Sequence, residues 1–284
     1  MGFRNVAQVA AAYEKGRFSY CSFRKVPSQG TAAGNWVDLT MAAGNPVPQY
    51  YASSPLEAAV LNGDKGIFHG DEKSPYTKFI HNFGIVTPSI GFLGQFTIMD
   101  YLLYYPFVDG DSLDIQPFIN DVTLPRFTDG EGVYVMAVAS APTLGGGSFT
   151  FDYIDHAGNS KTSPVISCNT TAANIATLIT SQQATVAGGL PFLPLAEGSR
   201  GVRRITGVTN ISAIGGLFAL VLVKPLFDTA IREVSTMTEI NFVNLRPILP
   251  KVEDGAYLGM ICNCSATVAG GLLTGYANFI WGND

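Results

Sequence analysis

Ser148-Phe149-Thr150-Phe151-Asp152-Tyr153-Ile154 alternates aromatic with polar or small side chains. In an extended chain Phe149, Phe151 and Tyr153 then share one face while Thr150 and Asp152 share the other. That period of two predicts a strand with one face in a core and the other toward solvent. His156-Ala157-Gly158-Asn159 supplies turn chemistry directly after it, so Ser160 to Ser167 can return as the partner strand. Pro164 has no N–H to give to a ladder, which places the returning strand at a sheet edge.

The same texture continues on both sides of this hairpin. Gln95 to Tyr105 is aromatic and β-branched, and Val133 to Ala139 is a continuous apolar run. Ala256 to Val268 alternates, with Leu258, Met260, Cys262, Cys264 and Ala266 on one side; Ala269-Gly270-Gly271 can then reverse the chain into a last strand, Leu273 to Trp281. Leu217 to Val223 is apolar on both faces, as a strand covered on both sides requires, whether by a second sheet or by another subunit. Short strands between Gly- and Pro-rich turns predict a mainly β protein, a jelly-roll-like β-sandwich. Thr171 to Gln183 is the exception: Ile175, Leu178 and Ile179 fit one helical stripe.

The first part of the chain reads differently. Phe3, Val6, Ala7, Ala10, Ala11 and Glu14 recur at near-helical spacing and Gly16 supplies a stop, so a short helix is expected over residues 3–15. Residues 16–51 are rich in Gly, Ala, Ser and Pro and are punctuated by Trp36, Tyr50 and Tyr51, with Pro46-Val47-Pro48 enforcing an extended path. This predicts an extended N-terminal arm. Its three aromatics either enter a groove on a neighbouring chain or pack on the parent domain. No repeat of fixed period and no charged linker appears, and the expected division is helix and arm over residues 1–77 and a β-sandwich body over 78–284.

Charged residues make up only 14% of the 284, against about 25% in ordinary soluble domains, and the mean hydropathy is +0.22. Such a chain needs either a membrane span or an unusual share of surface hidden in subunit contacts. The longest apolar-and-glycine run, Ala213 to Val223, is too short for a spanning helix, which needs about 18 residues or more. Subunit contacts remain, and a homo-oligomer, most simply a trimer, is expected, with Leu217, Phe218, Leu220 and Leu222 at its interface. The opening Met1-Gly2-Phe3-Arg4-Asn5 has no secretory pattern, so synthesis in the cytoplasm is expected. Net charge is −5, and Arg200, Arg203 and Arg204 form the one close basic group, which argues against a nucleic-acid partner.

Little in the sequence carries chemistry. Four cysteines (21, 168, 262, 264) and three histidines (69, 81, 156) are dispersed, so no zinc site is expected. Asp109-Gly110-Asp111-Ser112-Leu113-Asp114 is the densest carboxylate group, but the twelfth position from Asp109 is Asn120 where an EF-hand needs Glu, and an acidic turn is the better account of it. Asp129 and Glu131 offer a weaker acid/base pair. Gly145-Gly146-Gly147 precedes a strand, not the helix N-terminus that phosphate binding uses. No nucleophile elbow, P-loop or zinc-hydrolase helix is present, and three N-x-[ST] matches carry no weight without a secretory signal. The expectation is a protein with no catalytic residue, metal or cofactor.

Residues 97–111 (Thr-Ile-Met-Asp-Tyr-Leu-Leu-Tyr-Tyr-Pro-Phe-Val-Asp-Gly-Asp) and 124–132 (Leu-Pro-Arg-Phe-Thr-Asp-Gly-Glu-Gly) resemble segments of tailed-phage virion structural proteins. A softer likeness lies in the closing Asn278-Phe-Ile-Trp-Gly282. Within that class, capsid cement or decoration proteins resemble jelly rolls that form trimers on the shell. The resemblance therefore implies a bacteriophage cement protein in the virion, with the major capsid protein and copies of itself as partners. The arm residues Trp36, Tyr50 and Tyr51 are the expected capsid contacts. Two alternatives stay open: a major capsid protein, although the long charged helix usual there is not legible, and a tail or host-glycan-binding protein stacking aromatics on sugar rings.

Overall fold

The computed structural model describes residue 3 and residues 5–180, 191–245 and 249–282. Along the chain run helix α1 (Val6–Glu14), strands β1 (Phe18–Val26), β2 (Trp36–Asp38), β3 (Ala43–Asn45), β4 (Ala59–Val60), β5 (Thr77–Val86), β6 (Gly94–Asp109), β7 (Gln116–Pro117) and β8 (Tyr134–Ala139). They are followed by β9 (Ser148–Asp155), β10 (Ser160–Thr162), β11 (Ile166–Ser167), β12 (Val202–Ser212), β13 (Leu217–Ile231), β14 (Thr238–Asn241), a one-turn helix α2 (Phe242–Leu245), β15 (Lys251–Val252), β16 (Tyr257–Asn263) and β17 (Leu273–Gly282).

The strands form three antiparallel sheets. The first has the order β14-β5-β17-β1-β3, the second β2-β16-β6-β13-β8, and the third β10-β9-β12-β7. The architecture is a β-sandwich with two cores, because the second sheet is covered on both faces. Along β8, Met136 and Val138 join the core shared with the first sheet, whereas Val135, Ala137 and Ala139 join the core shared with the third. β13 divides in the same way: Ala219, Val221 and Val223 go to one core, Phe218, Leu220 and Leu222 to the other. A strand alternating between two apolar cores must read as a continuous apolar run, which is what Leu217 to Val223 is.

The hairpin forms as its alternation requires. Phe149, Phe151 and Tyr153 are buried, Asp155 accepts from Ala157 N and Asn159 N, and Gly158 takes φ +89°, where glycine is favoured. The returning chain splits at Pro164 into β10 and β11, both pairing β9 at the sheet's outer side.

Thr171 to Gln183 departs from expectation. Residues 181–183 lie outside the described residues, and the rest is irregular, with turns on either side of a two-residue bridge at Thr177 and Leu178, not helical. Its backbone joins the two outer strands of the second sheet: Leu178 N donates to Trp36 O, while Ala139 N donates to Thr177 O and Ile179 N to Ala137 O. The sheet edges this short bridge satisfies outweigh a weak helical stripe.

α1 is capped by Asn5, whose side chain accepts from Gln8 N at 3.0 Å, and ends where Gly16 takes φ +64°. Its buried face is Val9 and Ala12, whereas Val6 is 65% exposed and Ala7 and Ala10 are also exposed, so the helix turns a different face inward from the expected apolar stripe.

No free arm follows it. β1 pairs with β17 from Phe18↔Ile280 to Lys25↔Leu273, β3 pairs with β1, and β2 pairs with β16. Residues 16–51 therefore thread two sheets of the body, and a boundary at 77/78 would cut β1 away from the sheet containing β5 and β17. Glycines and prolines that looked like an arm instead let the chain cross between layers. No helix of the described residues is long and apolar enough to cross a membrane.

Candidate interaction surface

Of the three expected capsid-contact residues, two lie inside the parent molecule. Trp36 is buried in β2, and the Tyr51 phenol donates to the Asp38 carboxylate. Asp38 also accepts from Thr40 N (2.9 Å), Thr40 Oγ1 (2.7 Å) and Tyr101 Oη (3.0 Å). Burial pushes this carboxyl above its ordinary range, and its four donors pull the other way. Trp36 and Tyr51 are thus corrected from partner contacts to core residues, and Tyr50 alone is exposed. The expected oligomer interface is corrected likewise. Phe218, Leu220 and Leu222 are buried against the third sheet, where the Phe218 and Phe149 rings lie 5.4 Å apart, and Leu217 is half-buried at the strand's start. The cover that the doubly apolar strand needs comes from its own chain.

The surface that does present aromatic side chains lies along β1. Phe18 and Tyr20 point outward, 42% and 73% exposed, while Phe23 turns into the core. β3 reaches only Arg24 to Val26, so among the described residues Phe18 to Phe23 pairs as a strand on its β17 side alone. Ser22 O accepts from the Asn45 side-chain amide at 3.2 Å, on the β3 side. Successive peptide groups of a strand alternate sides, so Phe18 and Tyr20 turn their N–H and C=O toward the same open edge.

Beside this edge lies a groove of 870 Å³, walled by Phe18, Tyr20, Asn45, Pro46, Ile67 and Phe68 and extending to Tyr276 and Asn278. Phe68 is 63% exposed, and none of the described lining residues carries a charge. Two polar atoms in the lining, Ser19 Oγ and Asn278 Oδ1, are buried without a hydrogen-bond partner among the described residues. Tyr276 lies over Gly84, whose added Cβ would sit 2.4 Å from the ring, so glycine there lets the ring lie flat on the sheet. The available signal was the alternation Phe18-Ser19-Tyr20-Cys21, masked by the glycine- and proline-rich segment after it.

Other polar groups are consumed by the fold. Arg126 meets Asp100 through Nε (2.7 Å) and Nη2 (2.8 Å), and Nη2 also donates to the backbone of Leu61 and Tyr101. Burial pushes Asp100 up to about 6 against the pull of that guanidinium. Lys78 Nζ lies 2.8 Å from His69 Nδ1 and donates to Gly70 O and Asp71 O, and His69 Nε2 is 2.9 Å from Ala256 O. Burial first, and the Lys78 ammonium second, lower His69 to about 4. The acidic turn is tied by backbone bonds: Asp109 Oδ1 accepts from Asp111 N, and the Asn210 amide reaches Asp109 O and Ser112 O. Asp129 accepts from Glu131 N, and Glu131 pairs with exposed Arg200. Among the described residues no three His, Cys, Asp or Glu side chains gather as metal ligands would.

No family model matches the chain, and no curated protein matches it. Solved structures it is similar to are particles of infectious bursal disease virus. The virus-derived T=1 particle shares 9% identity, covering 93% of this chain and 78% of that one, with a TM-score of 0.18. The VP2 subviral particle shares 6%, covering 94% and 81%, with a TM-score of 0.19. At these scores the likeness carries no weight for fold or role.

Proposed function

We propose that this chain is a structural, non-catalytic component of a virus particle, and specifically a cement or decoration protein of a tailed phage that binds the assembled shell. The observation that carries it is the uncharged groove beside β1, with Phe18, Tyr20 and Phe68 exposed around it in a chain only 14% charged. Exposed aromatics on an uncharged surface are what a buried protein contact requires. Resemblance of residues 97–111 and 124–132 to phage structural proteins points the same way. A cement role is favoured over a shell-forming one because α1, nine residues long, is the longest helix among the described residues. The partners are the major capsid protein and copies of this chain, with a trimer as the expected assembly.

The test is to mix purified protein with shells lacking it and measure occupancy by sedimentation. Saturable binding at hundreds of copies per particle supports cement. Failure to sediment with shells, together with binding of neutral oligosaccharides by the isolated protein, would favour the host-glycan alternative.

A further inference from the structure

From the open edge of β1 we infer a strand-addition site: an extended, uncharged segment of another polypeptide pairs antiparallel with Phe18 to Phe23 and completes the first sheet on that side. The inference concerns the class of partner and stands or falls separately from the virion role.

Three features converge on a strand as the occupant. The edge offers peptide groups at alternate residues, Phe18 and Tyr20, and ends at Ser22, whose C=O the Asn45 amide already meets; that spacing is one another strand matches and a globular surface does not. Its length suits such a segment, since six residues extend over about 20 Å. The groove beside it, 870 Å³ in volume, gives room for side chains of an added strand. Phe18 and Tyr20 would flank the outward-facing ones, and Ile67 and Phe68 those facing inward.

The edge also lacks the usual defences. Native edges are blunted by short strands, charges or proline. Outer strands such as β3, β7 and β10 are two or three residues long. Phe18-Ser-Tyr-Cys-Ser-Phe23 is longer and has no charge and no proline, and charge begins at Arg24, where β3 takes over the pairing. An acidic or basic segment would lose hydration among uncharged walls with no opposite charge to meet, so an uncharged one is selected.

The probe is a blocked peptide copying residues 274–279 (Thr-Gly-Tyr-Ala-Asn-Phe), which is uncharged and already pairs with the other side of β1. Amide hydrogen exchange on the full-length protein should show Tyr20 N–H exchanging fast and Cys21 N–H protected. Added peptide should slow Tyr20 selectively. Tyr20→Pro removes the donor on the open side and leaves the β17 bonds, so affinity should fall about tenfold or more, while Tyr20→Phe should bind as the parent does. Should the proline variant not fold, the exchange measurement on the parent still decides. Tyr20 N–H already protected without peptide, no slowing at saturation, or unchanged affinity in a folded Tyr20→Pro would each overturn the inference. So would a peptide of the same length alternating Lys and Glu binding equally well.

Discussion

At the scale of single residues, the aromatic side chains sort by whether a polar partner holds them inside. Tyr51 is fixed because its phenol supplies one of four donors to buried Asp38. Tyr51→Phe should cost about 1–3 kcal/mol, since a buried carboxylate oxygen loses a donor. A thermal melt checks this, and shell or peptide binding should not change. Had Tyr51 been a partner contact, binding would fall and the melt would not. His69 gives the pH dependence. Its folded pKa, about 4, lies below its ordinary 6.5, so the unfolded chain takes the proton first, and stability present above pH 6.5 is lost as pH falls toward 4. Asp100 runs oppositely: raised to about 6, it binds a proton more readily when folded, so its contribution strengthens the fold as pH falls through that range. The two partly cancel in the parent protein. The stability difference between parent and His69→Gln should therefore shrink from pH 7 to pH 4.5, by at most roughly 3 kcal/mol. A difference that stays constant with pH, read from urea melts, would contradict this.

At the scale of elements, strands with one core face were legible and the segments joining layers were not. Phe149, Phe151 and Tyr153 announced β9 because period two has no other explanation, and Pro164 marked the sheet's outer side for a reason local to its own ring. Leu217 to Val223 was legible as a doubly covered strand, but no local pattern distinguishes a second sheet from a second subunit as the cover. For Trp36 and Tyr51 the deciding partners, β16 and Asp38 with Tyr101, lie far away in sequence or come into position only through the fold. The open edge of β1 was hidden for a related reason, since an unpaired strand is defined by what does not lie beside it. Asp100 and Arg126 left a trace that could have been read: a carboxylate inside the apolar run Ile98-Met-Asp-Tyr101 implies a buried cation nearby. Two predictions belong at this scale. Deleting residues 1–51 removes β1, β2, β3 and Tyr51, so the remainder should not fold cooperatively; a truncated chain with a sharp melt would restore the independent arm. Leu220→Ala opens a cavity in the core of the third sheet and should cost about 2–5 kcal/mol without changing oligomeric state. Dissociation of an oligomer at unchanged monomer stability, seen by native mass measurement, would return Leu220 to an interface.

For the whole molecule, two cores within one chain take up much of the apolar composition, while exposed apolar side chains are spread along the surface, Phe18, Tyr20 and Phe68 among them at the groove beside β1. The chain satisfies its own two cores and leaves an uncharged groove and a strand edge open, which is the surface the proposed role uses. The most direct measurement compares the parent protein with Tyr20→Lys/Phe68→Ser, which places a charge on the edge and removes an exposed ring, in sedimentation with shells lacking the protein. Both proteins should melt alike, because neither side chain is buried. The parent should saturate the shells at hundreds of copies while the variant's occupancy falls about tenfold or more, as the loss of a central contact residue does at protein interfaces. Equal occupancy of the two, or no sedimentation of the parent with shells, would contradict the account.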